Sequence, residues 1–247
     1  MFFIRLSNPF RRVTLQMPKL WAGFPLPEQD CLLCAGRARG AVICPACEEA
    51  LPLLDSSRCE RCAIPVPSAG ICGECLARPP AFDDADAVYA YRFPLDRLVG
   101  RFKYAGDLAA GRWLAVRLAQ RVRAHARPDL LVAPPITPAR MRGRGFNQSV
   151  EIARVVARTL GVPFATAALN KVRETEPQPG LRRRERRSNL RHAFRCRLAL
   201  SGEHVAVVDD VVTTGATAEE IARVLKAAGA GRVSVWAVAR TPHPAAR

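Results

Sequence analysis

The chain has 247 residues, a formal net charge of +16 and 49% hydrophobic residues. This composition supports a packed core and excludes a disordered basic tail, and the length suits one ordinary domain with a smaller module. No apolar run of about 18 residues occurs, so we expect no membrane span. Basic residues interrupt the apolar stretches of the first 19 positions, which argues against a secretory signal, and we expect a cytoplasmic protein.

The excess positive charge lies in two central blocks, with a net charge of +10 over residues 97–158 and +7 over residues 171–197. A polyanion or a phosphorylated small molecule is the natural partner of such blocks. For residues 97–127, solvated helix faces are an equally good interpretation. Five arginines between positions 182 and 187 repel one another unless an anion binds them, which favours an anion partner there.

The cysteines dominate the N-terminal third of the chain. Residues 1–27 precede them, and we expect part of this N-terminal segment to be helical. Residues 28–80 hold four Cys-x2-Cys pairs, and the second half of the array repeats the first at an offset of 28 positions. Two such pairs complete a tetrahedral zinc site, whereas a disulfide framework conflicts with the cytoplasmic prediction. We therefore predict a double zinc ribbon with two structural Zn²⁺ ions. The candidate metal ligands are Cys31, Cys34, Cys44, Cys47, Cys59, Cys62, Cys72 and Cys75.

Two pairings of these four knuckles are open at the level of the sequence. The repeat favours sequential pairing, in which the first two knuckles bind one ion and the last two bind the other. A crossed arrangement would join the first knuckle to the third and the second to the fourth. Either arrangement uses four thiolates and leaves no open coordination position, so both predict structural rather than catalytic zinc.

From Asp86 onward, strand-like and helix-like patterns alternate. Strands are predicted over residues 87–92, 129–135, 163–169, 204–208 and 232–239, and helices around 95–102, 108–126, 146–160 and 216–228. Residues 170–187 are polar, Arg-rich and contain prolines, which predicts a mobile loop. The alternation predicts an α/β domain over residues 86–241, with a parallel sheet flanked by helices.

The sharpest chemical signal follows the strand at 204–208. Two carboxylates, Asp209 and Asp210, come at its end, and a Thr-Thr-Gly-Ala-Thr loop from Thr213 to Thr217 then opens a helix. Backbone N–H groups at a helix start, together with threonine hydroxyls, form a cradle for one phosphate. Carboxylates do not bind phosphate, so Asp209 and Asp210 must face something else, and ribose hydroxyls or a hydrated Mg²⁺ ion fit.

This segment resembles the 5-phosphoribosyl-1-pyrophosphate (PRPP) motif of the type I phosphoribosyltransferases. The wider resemblance is to the ComF/ComFC/GntX family of competence-associated proteins, and it covers residues 31–240. Its supporting segments are Phe102 to Asp107, Ala133 to Pro138, Arg144 to Gln148, Thr175 to Leu181, Arg186, Asn189 and Phe194. The family's N-terminal zinc ribbon matches the cysteine array.

The resemblance implies a type I phosphoribosyltransferase-like fold and assigns roles to individual residues. Asp209, Asp210 and Arg186 are the catalytic candidates, and residues 170–189 form a lid that brings arginines to the leaving pyrophosphate. Mg²⁺ would accompany PRPP. The PRPP-binding candidates are Lys103, Arg142, Arg144, Gly145, Asp209, Asp210, Thr213, Thr214, Gly215, Ala216 and Thr217. Ribosyl transfer passes through an oxocarbenium-like state, so no protein nucleophile is required.

Three functions fit these features. The resemblance implies a PRPP-binding protein of DNA uptake, with single-stranded DNA and the uptake machinery at the inner face of the membrane as partners. A phosphoribosyltransferase of nucleotide metabolism with an unidentified acceptor is the second, and a PRPP sensor without catalysis is the third. Because the zinc module directly precedes the first strand, we expect it to cover the site and read the acceptor.

Overall fold

The computed structural model describes residues 29–38, 40–54, 57–68, 70–173 and 190–242. The predicted N-terminal segment 1–27 lies outside the described residues. So does most of the predicted lid, including Arg186.

A parallel sheet organises the domain. Within the described residues it has four strands in the order β1, β6, β5, β2, all parallel. Their bounds are β1 Asp84–Ala90, β2 Leu130–Val132, β5 His204–Val212 and β6 Arg232–Arg240. Every residue of β6 after Arg232 is buried, as expected for a parallel strand that is covered on both faces.

Helices cover both faces, and strand residues alternate between the two cores. Val208 and Trp236 pack in one core with α3 Leu95–Tyr104, α4 Leu108–Val122 and α6 Gln148–Leu160. Their neighbours Val207 and Val235 pack in the other core with α7 Ala216–Ala227. The period of two along each strand therefore supplies both cores. The α/β class and its flanking helices are confirmed.

The cysteine-rich module packs onto both faces of this sheet. Cys31 and Ile43 of the first ribbon join the core formed by α3, α4 and α6, whereas Cys59 and Ile64 of the second ribbon join the core beneath α7. A short helix begins within the second knuckle of each ribbon, directly after its first cysteine: α1 Pro45–Glu49 and α2 Gly73–Ala77. The chain between the ribbons runs beside the edge strand, since the Leu54 N–H donates to the Val88 carbonyl at 2.9 Å. One ribbon therefore lies on each face of the sheet, beside its β1 edge.

A two-stranded antiparallel sheet marks the base of the predicted lid. It consists of β3 Leu169–Lys171 and β4 Phe194–Cys196, with Lys171 opposite Phe194. The Val172 N–H donates to the Ala193 carbonyl at 2.9 Å. The two described ends of the intervening segment therefore lie side by side.

Several boundaries differ from the sequence expectations. The strand expected over 163–169 is reduced to a single bridge between Leu131 and Phe164, and the regular pairing begins at Leu169 instead. Helix α5, Pro138–Arg144, was not expected; Thr137 caps it by accepting from the Arg140 N–H at 3.3 Å. Strand β5 continues beyond Val208 through both site carboxylates, because β6 pairs with it as far as Val212.

Among the helices in the described part of the chain, none has both the length and the apolar character needed to cross a bilayer.

Candidate functional site

The eight cysteines form two clusters of four. Cys31, Cys34, Cys44 and Cys47 make one, and Cys59, Cys62, Cys72 and Cys75 make the other; within each, all sulfur atoms lie within 4.8 Å of one another. The sulfurs of Cys34 and Cys44 are 3.8 Å apart and those of Cys62 and Cys72 are 3.7 Å apart. A tetrahedron of Zn–S bonds of about 2.3 Å has edges of about 3.8 Å, so both sites fit structural zinc. The pairing is sequential, which excludes the crossed arrangement.

Backbone N–H groups donate hydrogen bonds to these sulfurs, which favours the thiolate form that binds a metal. The Cys44 N–H donates to the Cys31 sulfur at 3.3 Å, and the Cys72 N–H donates to the Cys59 sulfur at 3.2 Å. Burial acts to raise the pKa of Cys59, but backbone donors led by the Cys72 N–H outweigh it and lower the pKa to about 7. The repeat in the sequence is therefore also a repeat in the hydrogen bonds that favour thiolates.

A second feature lies at the carboxyl ends of β5 and β2. These strands are neighbours, so the loops that follow them meet at one edge of the sheet, where open α/β sheets bind ligands. A cavity of about 280 Å³ opens there. It is lined by Tyr91, Lys103, Tyr104, Pro134, Pro135, Ile136, Arg140, Arg144, Gln148, Ser149, Lys171, Leu190, Phe194, Asp209, Asp210, Val211, Thr213 and Thr217.

Asp209 is held at the floor of this cavity by Ser149. The Ser149 hydroxyl, in the first turn of α6, donates to Asp209 Oδ1 at 2.7 Å. Burial and the neighbouring charge of Asp210 raise the pKa of Asp209 to about 6, although the Ser149 hydrogen bond and the Lys103 charge act in the opposite direction. Asp209 therefore changes charge close to neutral pH.

Asp210 is paired with Lys103, which reaches the site from the last turn of α3. The Lys103 Nζ lies 2.9 Å from Asp210 Oδ2, and the two side chains are only 18% and 14% exposed. Burial acts to lower the pKa of Lys103, but the charges of Asp210 and Asp209 outweigh it and raise that pKa. Lys103 thus compensates the charge of the carboxylate pair.

The loop after β5 turns at Gly215, whose φ of +77° is in the left-handed region that favours glycine. Gly215 is the N-cap of α7 and has no side chain to cap the helix, and the Thr214 hydroxyl accepts from the Ala216 N–H at 3.4 Å. Thr213 and Thr217 line the main cavity. Thr214 and Gly215 line a small adjoining space of about 20 Å³ that they share with Cys62 and Cys75, and Ala216 is buried.

Only part of the expected basic set reaches the cavity. Arg144 lines it, donates to Gln148 Oε1 at 3.2 Å and lies over the ring of Tyr104 at 5.4 Å. Arg142 and Gly145 are not lining residues. Gly145 instead ends α5 in a left-handed conformation, with φ +76°. Arg186 lies outside the described residues.

Sequence reasoning missed several residues of the cavity. Ser149 had a usable signal, because it opens the helix that follows β2, the neighbour of β5 in the sheet. Arg140 and Lys171 line the cavity without any local motif that would mark them. Arg240 contacts the loop after β5 from the end of β6, a relation that only the tertiary structure reveals.

The zinc module does not cover the cavity as expected. None of the residues found to line the cavity comes from either ribbon. The second ribbon instead abuts the loop after β5 from the other side, since Arg240 Nε donates to the Cys62 carbonyl at 2.9 Å while Nη1 donates to the Val212 carbonyl at 3.0 Å. The physical reason is that the ribbons pack against the two faces of the sheet rather than over its carboxyl edge.

Comparison with known proteins agrees with both features. Residues 24–76 match the family model of the double zinc ribbon domain, and residues 147–247 match that of the phosphoribosyl transferase domain. The DNA utilization protein YhgH of Escherichia coli (strain K12) is 36% identical over 206 residues, covering 81% of this chain and 90% of that protein. Competence protein F of Haemophilus influenzae is 35% identical over 180 residues, covering 68% of this chain and 78% of that protein.

Solved structures that match include a glutamine phosphoribosylpyrophosphate amidotransferase from B. subtilis, 23% identical with a TM-score of 0.35, over 51% of this chain and 25% of that one. A purine phosphoribosyltransferase from Pyrococcus horikoshii is 19% identical with a TM-score of 0.34, over 53% and 73% of the two chains. From the sequence relatives and the two family models, the chain belongs to the ComF family of YhgH and competence protein F, and it joins a double zinc ribbon to a phosphoribosyl transferase domain.

Proposed function

We propose that the cavity binds PRPP together with Mg²⁺, and that the protein is a cytoplasmic, PRPP-binding component of DNA utilization. One observation carries the proposal. Asp209 and Asp210 stand at the end of β5, directly joined to the Thr213–Thr217 loop, in one cavity with Lys103 and Arg144. The carboxylates that would bind hydroxyls are thus followed closely in the chain by the loop that would bind a phosphate.

Each group has a part in holding this ligand. The carboxylates of Asp209 and Asp210 accept hydrogen bonds from the ribose 2- and 3-hydroxyls, and the start of α7 binds the 5-phosphate. Arg144 and Arg140, which line the cavity, would bind the pyrophosphate, and the resemblance adds Arg186 as a further candidate for the same role. Mg²⁺ would supply additional positive charge to the pyrophosphate.

A transfer reaction is the second candidate, and the lining of the cavity favours it. Tyr91, Ile136 and Phe194 give the cavity an apolar side that suits a planar acceptor ring. In such a transfer the acceptor nitrogen forms a bond to ribose C1, and the C1–O bond breaks to release pyrophosphate. The positive charge that develops on the ribose lies near the Asp209 and Asp210 carboxylates.

The names of the YhgH and competence protein F relatives support the link to DNA. A feature at the cavity mouth supports it as well: Tyr104 is 79% exposed and carries the Arg144 guanidinium over its ring. Exposed aromatic rings beside arginines stack on the bases of single strands. Partners at the inner face of the membrane belong to the same proposal. Binding of a labelled oligonucleotide should fall at least tenfold between about 50 and 200 mM salt if several phosphates are contacted.

The test is calorimetric titration with PRPP and Mg²⁺. Wild type should bind, and Asp209→Asn with Asp210→Asn should abolish binding. Asp84→Asn is the matched control, because it makes the same change at the opposite end of the sheet, in a residue that pairs with Arg232. Absence of binding to the wild-type protein would overturn the proposal. Pyrophosphate release with a panel of bases then separates a transferase from a sensor.

A further inference from the structure

Arg240 connects the second cysteine cluster to the start of the Thr213–Thr217 loop. It is the last residue of β6 and is 3% exposed. Its Nε donates to the Cys62 carbonyl at 2.9 Å. Its Nη1 donates to the Val212 carbonyl at 3.0 Å, to the Thr213 carbonyl and, at 3.2 Å, to the Thr241 carbonyl. One guanidinium therefore ties a metal-ligand residue to the start of the loop.

These contacts help to hold the start of the loop: the Val212 carbonyl also accepts from the Thr241 N–H at 3.0 Å, whereas the Thr213 carbonyl accepts from Arg240. A peptide unit is planar and trans, so its carbonyl and its N–H point in opposite directions. Fixing the Val212 and Thr213 carbonyls on Arg240 fixes the N–H groups of Thr213 and Thr214, which then point away from Arg240. Those are two of the N–H groups with which the loop begins its approach to a phosphate.

The connection is direct. The space shared by Cys62, Cys75, Thr214, Gly215 and Arg240 is about 20 Å³, which holds no more than about one water molecule. Moreover, the guanidinium is rigid, so a shift of the Cys62 carbonyl reaches the Val212 carbonyl through a single planar group. The first cluster lies on the other face of the sheet and provides an internal comparison.

We propose that Arg240 is a positioning residue that couples zinc in the second cluster to phosphate binding at the Thr213–Thr217 loop. The proposal rests on the proposed function for the identity of the ligand. With zinc bound, the Cys62 knuckle would be fixed in place. Because Arg240 contacts both the Cys62 carbonyl and the loop carbonyls, the loop would then be fixed as well and would bind the 5-phosphate more tightly. Coupling between two binding equilibria is reciprocal, so the phosphate ligand must also strengthen zinc binding in this cluster.

The first experiment measures the zinc affinities of the two sites in the protein loaded with two Zn²⁺ ions, by equilibrium competition with a chromogenic chelator, with and without PRPP and Mg²⁺. One of the two ions should be bound roughly 5–150-fold more tightly when PRPP is bound, the range typical of coupled sites, and the affinity for the other should be unchanged. In Arg240→Lys, which keeps the charge but cannot span both carbonyls, PRPP should change neither zinc affinity. A purely structural role for Arg240 would not produce this ligand-dependent, one-ion effect.

Arg232→Lys is the matched control. Arg232 lies at the other end of β6 and pairs with Asp84 at 2.8 Å, so its replacement should leave the PRPP effect on zinc affinity intact. The coupling is refuted if PRPP tightens the binding of both ions equally, or if it binds to the wild type and changes neither zinc affinity. It is also refuted if PRPP still tightens the binding of one ion in a folded Arg240→Lys protein.

The second experiment needs no ligand and separates this proposal from the proposed function. Hydrogen exchange of residues 211–217 should quicken when zinc is withdrawn from the second cluster, and should be equally fast in Arg240→Lys with zinc still bound. If the exchange rate of residues 211–217 responds neither to zinc withdrawal nor to Arg240→Lys, the coupling is refuted. If the wild-type protein shows the exchange response but binds no PRPP, the coupling is supported and PRPP is excluded as the ligand. If Arg240→Lys fails to fold, the wild-type zinc withdrawal alone decides.

Discussion

At the scale of single residues, the site depends on two adjacent carboxylates that repel each other. Lys103 offsets the charge of Asp210 at 2.9 Å, and Ser149 donates to Asp209 at 2.7 Å. The balance still leaves the pKa of Asp209 raised to about 6. The proposed binding of ribose hydroxyls favours the ionised form, which accepts hydrogen bonds at both oxygens.

Ser149→Ala should therefore move the pH dependence of PRPP binding. The hydrogen bond to the ionised carboxylate is lost, so the pKa of Asp209 rises and the acidic fall in affinity shifts to higher pH. A charged hydrogen bond contributes about 1.5 kcal/mol, which corresponds to a shift on the order of one pH unit. The measurement is the dissociation constant from about pH 5 to pH 9.

The phosphates of PRPP titrate in the same range, but their contribution is common to both proteins and cancels in the comparison. Ser201→Ala, an exposed serine in the loop before β5, should leave the profile of the wild type unchanged. Coincident profiles for Ser149→Ala and wild type would show that Ser149 does not tune Asp209.

Sequence could predict these residues only where the signal is local. Asp209, Asp210 and Thr213 stand within one short segment whose chemistry is readable in order. Ser149 is 60 positions from Asp209, and the contact exists because β2 and β5 are neighbours in the sheet. Arg142 was expected near the site because it follows β2, but it is not among the residues that line the cavity.

At the scale of elements, close packing of α3 on α4 places Lys103 at the site. Leu95, Leu98, Val99 and Phe102 form the buried face of α3, as their helical spacing predicts. Gly111 of α4 lies against the Phe102 ring, and a Cβ atom at position 111 would meet that ring at 2.3 Å. The glycine is required by the helix contact and not by the backbone conformation.

Gly111→Ala should accordingly destabilise the protein, although alanine is the better helix former. Overpacking costs about 1–3 kcal/mol, which exceeds the gain of about 1 kcal/mol in helix propensity. The Phe102 ring cannot retreat freely because it packs against Phe146 at 5.4 Å between centroids. Urea unfolding measures the change.

Gly100→Ala on α3 is the matched control for this prediction. A Cβ atom there meets nothing within 4 Å, so the substitution should stabilise the protein by about 0.5–1 kcal/mol. Equal effects of the two substitutions would refute the packing argument.

Elements with a strong apolar period were predictable, whereas those set by pairing were not. The spacing of apolar residues located α3, α4, α6 and α7 to within a few positions. Strand β3 and helix α5 carry no such period. The first exists because Leu169–Lys171 meets Phe194–Cys196, and the second because Thr137 caps a proline-led turn.

At the scale of the whole molecule, the cysteine-rich module shares its two cores with the α/β domain. The repeat predicted two four-cysteine sites, but nothing local predicted that one ribbon would pack on each face of the sheet. The attachment of the second ribbon includes a buried carboxylate with partly exposed basic partners. Asp86 of β1 is 2% exposed and contacts Arg58 at 3.1 Å, Arg121 at 3.0 Å and His125 at 2.8 Å.

Asp86→Asn should weaken the attachment of the second ribbon to the α/β domain and so destabilise the protein. Burial acts to raise the pKa of Asp86, but hydrogen bonds from His125 and Arg121 and the charges of Arg121 and Arg58 hold it below the ordinary value of 3.8. Removing the carboxylate charge leaves cations that no longer have their buried counter-ion, so the free energy of unfolding should fall by about 3 kcal/mol at pH 7. Asp84→Asn, two residues away on the same strand, should cost less than about 1 kcal/mol because its partner Arg232 is half exposed.

The pH dependence identifies the cause. A depressed folded pKa means that the unfolded chain binds the proton more readily, so the contribution of Asp86 is complete above about pH 5 and is lost as the pH falls through the folded pKa. The difference in the free energy of unfolding between wild type and Asp86→Asn should therefore narrow as the pH falls below about pH 4. Thiolate protonation weakens zinc binding in both proteins alike, which leaves their difference as the measure of Asp86. A difference that persists undiminished at low pH would mean that Asp86 acts through packing or hydrogen bonding and not through its charge.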